Sequence, residues 1–134
     1  MLNESKRSTL IQRAVECRKL AYAPYSHYEV GAALLTASGR IYTGVNVENA
    51  AYSGTICAER VAVVKAVSEG EKEFQAIAVV TANGGTPCGS CRQVLAEFGL
   101  ETVVLIANKS GDLLEETTVS DLLPSAFTPK DLGK

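Results

Sequence analysis

The chain has little of what would carry it into a membrane or onto a nucleic acid. No apolar run in its 134 residues approaches the ~18 needed to cross a bilayer. The stretch from Asn3 to Thr9 is polar and holds no hydrophobic targeting segment. Long blocks of like charge are missing, and thirteen Lys and Arg against fifteen Asp and Glu leave a formal net charge of −2. A nucleic-acid binder needs a basic footprint, and none is visible. Internal repeats and low-complexity tracts are also absent. The single histidine, His27, has no partner-like spacing to any other ligand type. Cysteine is scarce too, with four residues, Cys17, Cys57, Cys88 and Cys91. Without a targeting segment, four cysteines do not make a disulfide framework, and the expected compartment is a reducing cytoplasm. What remains is one domain, 1–134, large enough for a single core, with residues 128–134 expected to be weakly held.

Periodicity then gives the order of elements. Leu10, Ile11, Ala14 and Val15 mark one face of a first helix that ends before Pro24. Cys17 lies in that helix and reads as a small buried hydrophobe. Tyr28 to Thr36 is almost wholly apolar, which predicts a strand buried on both faces. Ser38-Gly39 turns the chain into a second strand, Arg40 to Asn46, as a hairpin. Cys57 to Ser68 is long enough for a helix, with Gly70 placed to end it. Ala76 to Thr81 predicts a buried strand and Gly84 to Pro87 a loop. A helix over Gly89 to Phe98 is stopped by Gly99. Strands follow at Thr102 to Ala107 and Leu113 to Thr117, and Thr118 can cap a short helix ahead of Pro124. A hairpin followed by strand–helix crossovers predicts a three-layer α/β/α sandwich around a mixed five-stranded sheet.

The chemistry sits at two of these helix starts. The chain reads Cys57-Ala58-Glu59 and later Pro87-Cys88-Gly89-Ser90-Cys91. A lone C-x-x-C also occurs in redox motifs and zinc ribbons, but a redox pair explains neither Cys57 nor Glu59, and a zinc ribbon expects a fourth ligand. Three thiolates can hold one zinc ion and leave its fourth position to water, as catalytic rather than structural zinc sites do. Glu59 follows the first ligand closely enough to handle that water's protons, so the pattern points to hydrolysis. Three thiolates and a dication sum to −1, so a nearby positive group is expected. Arg60 is expected beside a thiolate sulfur. Arg92 stands either beside one or as a solvated helix charge.

The cysteine pattern is the three-cysteine variant of the signature of zinc-dependent nucleobase deaminases, H-x-E followed by P-C-x-x-C. Ala23-Pro24-Tyr25-Ser26, Val30-Gly31-Ala32-Ala33-Leu34, Asn46 to Ser53, Cys57-Ala58-Glu59-Arg60, Pro87 to Gln93 and Leu122 to Phe127 together resemble the small cytidine deaminases, from about Leu10 to Phe127. That resemblance implies hydrolysis of cytidine and 2′-deoxycytidine to the uridine nucleosides and ammonia, in pyrimidine salvage. It implies one zinc per subunit on Cys57, Cys88 and Cys91, and Glu59 as both base and acid. It further implies that Asn46 and Glu48 contact the ribose 3′-hydroxyl and that the ring of Tyr28 faces the pyrimidine. Finally, it implies a homotetramer in which Ala50, Tyr52 and Phe127 complete the active sites of neighbouring subunits. Family members often carry phenylalanine at the position of Tyr28, so the resemblance fixes neither its packing nor a role for its hydroxyl.

Taken as residues alone, several of these positions have plainer readings. Asn46 and Glu48 read as loop residues at a strand end and Tyr28 as a core aromatic, while Phe127, with little chain left to bury it, reads either as packing against another subunit or as closing the domain's own core. Two other functions remain open: a zinc deaminase acting on another substrate, such as polynucleotide cytosine, guanine or an aminonucleoside antibiotic, and a zinc-binding module without turnover.

Overall fold

The computed structural model describes residues 2–134. Helix α1 (Glu4–Cys17) starts at Asn3, whose side chain accepts the Lys6 N–H at 2.9 Å, and buries Leu10, Ile11 and Ala14. A 3-10 turn, Arg18–Leu20, ends it. Strands β1 (Gly31–Thr36) and β2 (Ile41–Val45) form the expected antiparallel hairpin, running from Gly31 opposite Val45 to Leu35 opposite Ile41. Helix α2 (Ala58–Ser68) is followed by β3 (Phe74–Thr81), α3 (Gly89–Phe98) and β4 (Val103–Asn108). Strand β5 (Leu113–Thr118) and the four-residue α4 (Val119–Leu122) follow, the latter capped by the Thr118 hydroxyl.

The sheet order is β2-β1-β3-β4-β5, with β3 and β4 parallel and every other pair antiparallel. A parallel pair needs a crossover, and α3 supplies it. Alternation along β3 splits the core into two halves. Ala76, Ala78 and Val80 pack with Leu10, Ile11 and Ala14 of α1 on one face. Ile77 and Val79 pack on the other with Ala62 and Val63 of α2 and Leu95 of α3. The result is a three-layer α/β/α sandwich around a mixed five-stranded sheet. All six residues of β1 are buried, as a strand covered on both faces requires.

β1 starts three residues later than its apolar pattern predicts. His27 takes a positive φ of 59°, and the Asn46 side chain claims the backbone beyond it, accepting from Val30 N at 3.0 Å and donating to Tyr28 O at 2.8 Å. Those groups are therefore withheld from the ladder, and 28–30 becomes a wall of the site instead. Two 3-10 turns, Tyr52–Gly54 and Pro129–Leu132, also lie outside the sequence pattern. Cys17 is half-buried at the end of α1, its thiol against Ala32 O and Gly44 O, and burial pushes its pKa up.

One glycine matters for the site. A Cβ on Gly44 would meet Ala58 O at 2.5 Å and Ala62 N at 2.6 Å. The missing side chain lets the first turn of α2 rest directly on β2.

Candidate active site

Cys57 and Cys88 are the N-cap residues of α2 and α3, and neither side chain caps its helix. Both sulfurs are thus free to face each other, and Cys91 joins them from the first turn of α3. Cys88 and Cys91 Sγ lie 3.4 Å apart, Cys57 and Cys88 Sγ 3.9 Å, and all three sulfurs fall within 4.8 Å. Two helix N-termini, the positive ends of their macrodipoles, converge on this cluster. Arg60 donates from Nη2 to Cys57 Sγ at 3.4 Å, as expected of it. Its Nε is, among the described residues, the buried side-chain nitrogen or oxygen without a hydrogen-bond partner.

The thiols divide their protons unequally. Donation from Cys91 holds Cys57 down at about 5, with Arg60 helping against burial. Sharing with Cys57 pushes Cys91 up, and burial adds to it. Cys57 and Cys91 thus do not ionise together by themselves. A divalent cation removes that conflict, and soft sulfur donors suit zinc. The donor set therefore fits the metal that its spacing suggests.

Glu59 is 5% exposed and opens onto a cavity of about 270 Å³ that Cys57 and Cys88 also line. Burial raises its pKa above the ordinary carboxylate value, and the Cys57 thiolate raises it further. A carboxyl in this setting can both hold and release a proton, which general acid–base work requires. Tyr28, Asn46 and Glu48 line the same cavity. Asn46 is 8% exposed and already carries two backbone hydrogen bonds, leaving one lone pair and one N–H for other partners. Glu48 accepts from Tyr25 N at 2.9 Å, from Ser26 N at 3.2 Å and from the Ser26 hydroxyl. These bonds lower its pKa, the Ser26 hydroxyl most, so it stands as a carboxylate at the mouth of the cavity.

Ala50, Tyr52 and Phe127 lie outside this cavity. Tyr52 is 78% exposed and meets Tyr25 edge-on at 6.1 Å, while Phe127 is 57% exposed. Phe127 therefore does not close the domain's own core; its carbonyl accepts from Gln93 Nε2. Arg92 turns away from sulfur. It donates to Pro87 O at 2.7 Å, Leu122 O at 2.8 Å and Thr86 Oγ1 at 3.1 Å, and so braces the loop that delivers Cys88. Nor is it simply a solvated helix charge, since Nε, Nη1 and Nη2 each donate one of these bonds.

The cavity also takes Thr55, Thr81, Gly85 and Thr86, which sequence reasoning did not single out. Thr81 and its loop were findable, because Thr81 ends a buried strand of an α/β sheet, the place where binding groups gather.

The family model for the cytidine and deoxycytidylate deaminase zinc-binding region matches residues 4–107. A cytidine deaminase of Sporosarcina psychrophila is 53% identical over 127 residues, covering 92% of this chain and 93% of that protein. A second, from Halalkalibacterium halodurans, is 50% identical over 130 residues and covers 95% and 98%. The crystal structure of cytidine deaminase from Burkholderia pseudomallei matches with a TM-score of 0.85 at 45% identity, covering 94% of this chain and 100% of that one.

Proposed function

The chain belongs to the cytidine and deoxycytidylate deaminase family, and on that premise we propose that it hydrolyses cytidine and 2′-deoxycytidine to uridine and 2′-deoxyuridine with release of ammonia. The observation that carries this reading is the buried Glu59 carboxyl opening onto a nucleoside-sized cavity beside the three-cysteine cluster.

Cys57, Cys88 and Cys91 hold the zinc, which when bound acidifies water and makes it a competent nucleophile at neutral pH. Glu59 takes one proton from the attacking water and delivers it to N3 of the base. The remaining water proton passes by way of Glu59 to the amino group, which leaves as ammonia as the carbonyl forms at C4. Atoms balance: oxygen goes to C4, one hydrogen to N3 and one to nitrogen. Arg60 offsets the excess thiolate charge through Cys57. The Tyr28 ring faces the pyrimidine, and Asn46 and Glu48 take the ribose 3′-hydroxyl with the bonding capacity their backbone partners leave.

Ala50, Tyr52 and Phe127 serve neighbouring subunits of a homotetramer. Their support is position: all three stand outside this chain's own cavity, two of them as exposed aromatics. A reducing cytoplasm, with a role in pyrimidine salvage, suits a centre built from free thiols. No helix is long and apolar enough to cross a membrane among the described residues. A net charge of −2 argues against a polynucleotide substrate. The test is ammonia release from cytidine, deoxycytidine, cytosine, CMP and an oligonucleotide, with and without a chelator. Turnover confined to the two nucleosides and abolished by chelation is expected. Preference for CMP or oligonucleotide would overturn the substrate assignment, and no turnover on any of them would leave a deaminase of another substrate or a zinc-binding module.

A further inference from the structure

Tyr28 brings to the cavity a hydroxyl that the proposed chemistry does not use. That hydroxyl donates to Asn83 Oδ1 at 2.8 Å. The same amide oxygen accepts from Thr81 Oγ1 at 3.3 Å, and Thr81 Oγ1 in turn accepts Gly85 N–H at 2.7 Å. Gly85 lies so close that a Cβ there would overlap the Tyr28 hydroxyl. The residue is thus held at its backbone and at the tip of its ring. Asn46 holds its backbone carbonyl at 2.8 Å, and Asn83 holds its tip, with Gly85 leaving the space the tip occupies. Tyr28 is otherwise 40% exposed, too open for packing alone to define its plane.

We propose that Asn83 is a positioning residue, which fixes the Tyr28 ring in advance as the wall that receives the base. The inference rests on the nucleoside-deaminase reading above. An aromatic wall set before binding improves affinity by removing the ordering cost of the side chain. It meets the base alike in ground and transition states, so its loss falls on KM rather than on kcat.

The test is a double-mutant cycle with Asn83→Ala and Tyr28→Phe, read in three ways. Asn83→Ala should raise KM for cytidine about fivefold, the worth of one typical hydrogen bond, with kcat and zinc content unchanged. In the Tyr28→Phe background the same substitution should add little. Asn83→Asp, which keeps an acceptor, should restore KM. Thermal unfolding of the four proteins should show the same coupling without any substrate. Equal effects of Asn83→Ala in both backgrounds would overturn the proposal, as would a loss confined to kcat or zinc. Additive unfolding shifts would overturn it even if cytidine proved not to be a substrate, whereas coupled unfolding with no turnover of cytidine would sink only the substrate assignment.

Discussion

Gly44→Ala should impair catalysis from outside the cavity. The new methyl would sit 2.5 Å from Ala58 O and 2.6 Å from Ala62 N, both backbone atoms of α2 that no rotamer change can move. Ordinary contact is roughly 3.5 Å or more, so the helix must retreat by roughly 1 Å. Its first turn carries Cys57 at the cap and Glu59 one residue inside. Overpacking of this kind costs about 1–3 kcal/mol, which in a chain of this size lowers Tm by roughly 3–12 °C. The displacement of Glu59 matters more, because a misplacement of about 1 Å can cost ~10²-fold in rate. The assay is kcat at saturating cytidine alongside metal content and a thermal melt. Gly39→Ala is the control. It too strains its backbone, at a φ of 93°, but has nothing within 4 Å of the new Cβ, so it should lower Tm and spare kcat. A Gly44→Ala protein with wild-type Tm and kcat would refute the claim that close approach of α2 to β2 sets the site.

The other expectations are simpler to read. Alanine at Cys57, Cys88 or Cys91 should lose zinc and activity together, and full metal occupancy in all three would refute the ligand set. Glu59→Gln should keep fold and zinc but lose about 10²–10⁴-fold in turnover; near-normal kcat would remove it from proton transfer. Glu48→Gln should weaken cytidine far more than free cytosine. An equal effect on both would mean that it acts only by holding Tyr25 and Ser26. Phe127→Ala should impair substrate use with zinc retained, and hybrids of Phe127→Ala and Glu59→Ala subunits should regain some activity; a fully active monomer of about 14 kDa by sedimentation would defeat the shared site.

The sequence by itself determined what local pattern can encode. The span Gly89–Phe98 of α3 was legible in the sequence, its end because Gly99 stops it. The order of strands and helices followed from apolar periodicity, and the three cysteines with Glu59 followed from spacing, since each pair that meets is anchored at a helix start. Arg60 was legible for the same reason, lying three residues from the sulfur it touches.

Contacts between residues distant in sequence belonged to the tertiary structure alone. Periodicity assigns Tyr28 to a strand, yet Asn46 removes its backbone from the ladder across 18 positions, and Asn83 takes its hydroxyl across 55. Arg92 was ambiguous because its decisive partner, Leu122 O, lies 30 residues on. Composition could not say whether Phe127 closes its own core or stands free, because burial depends on which surfaces the fold leaves uncovered. Propensity and spacing act within a turn or a strand; hydrogen-bond satisfaction and burial are settled only when the whole chain has packed.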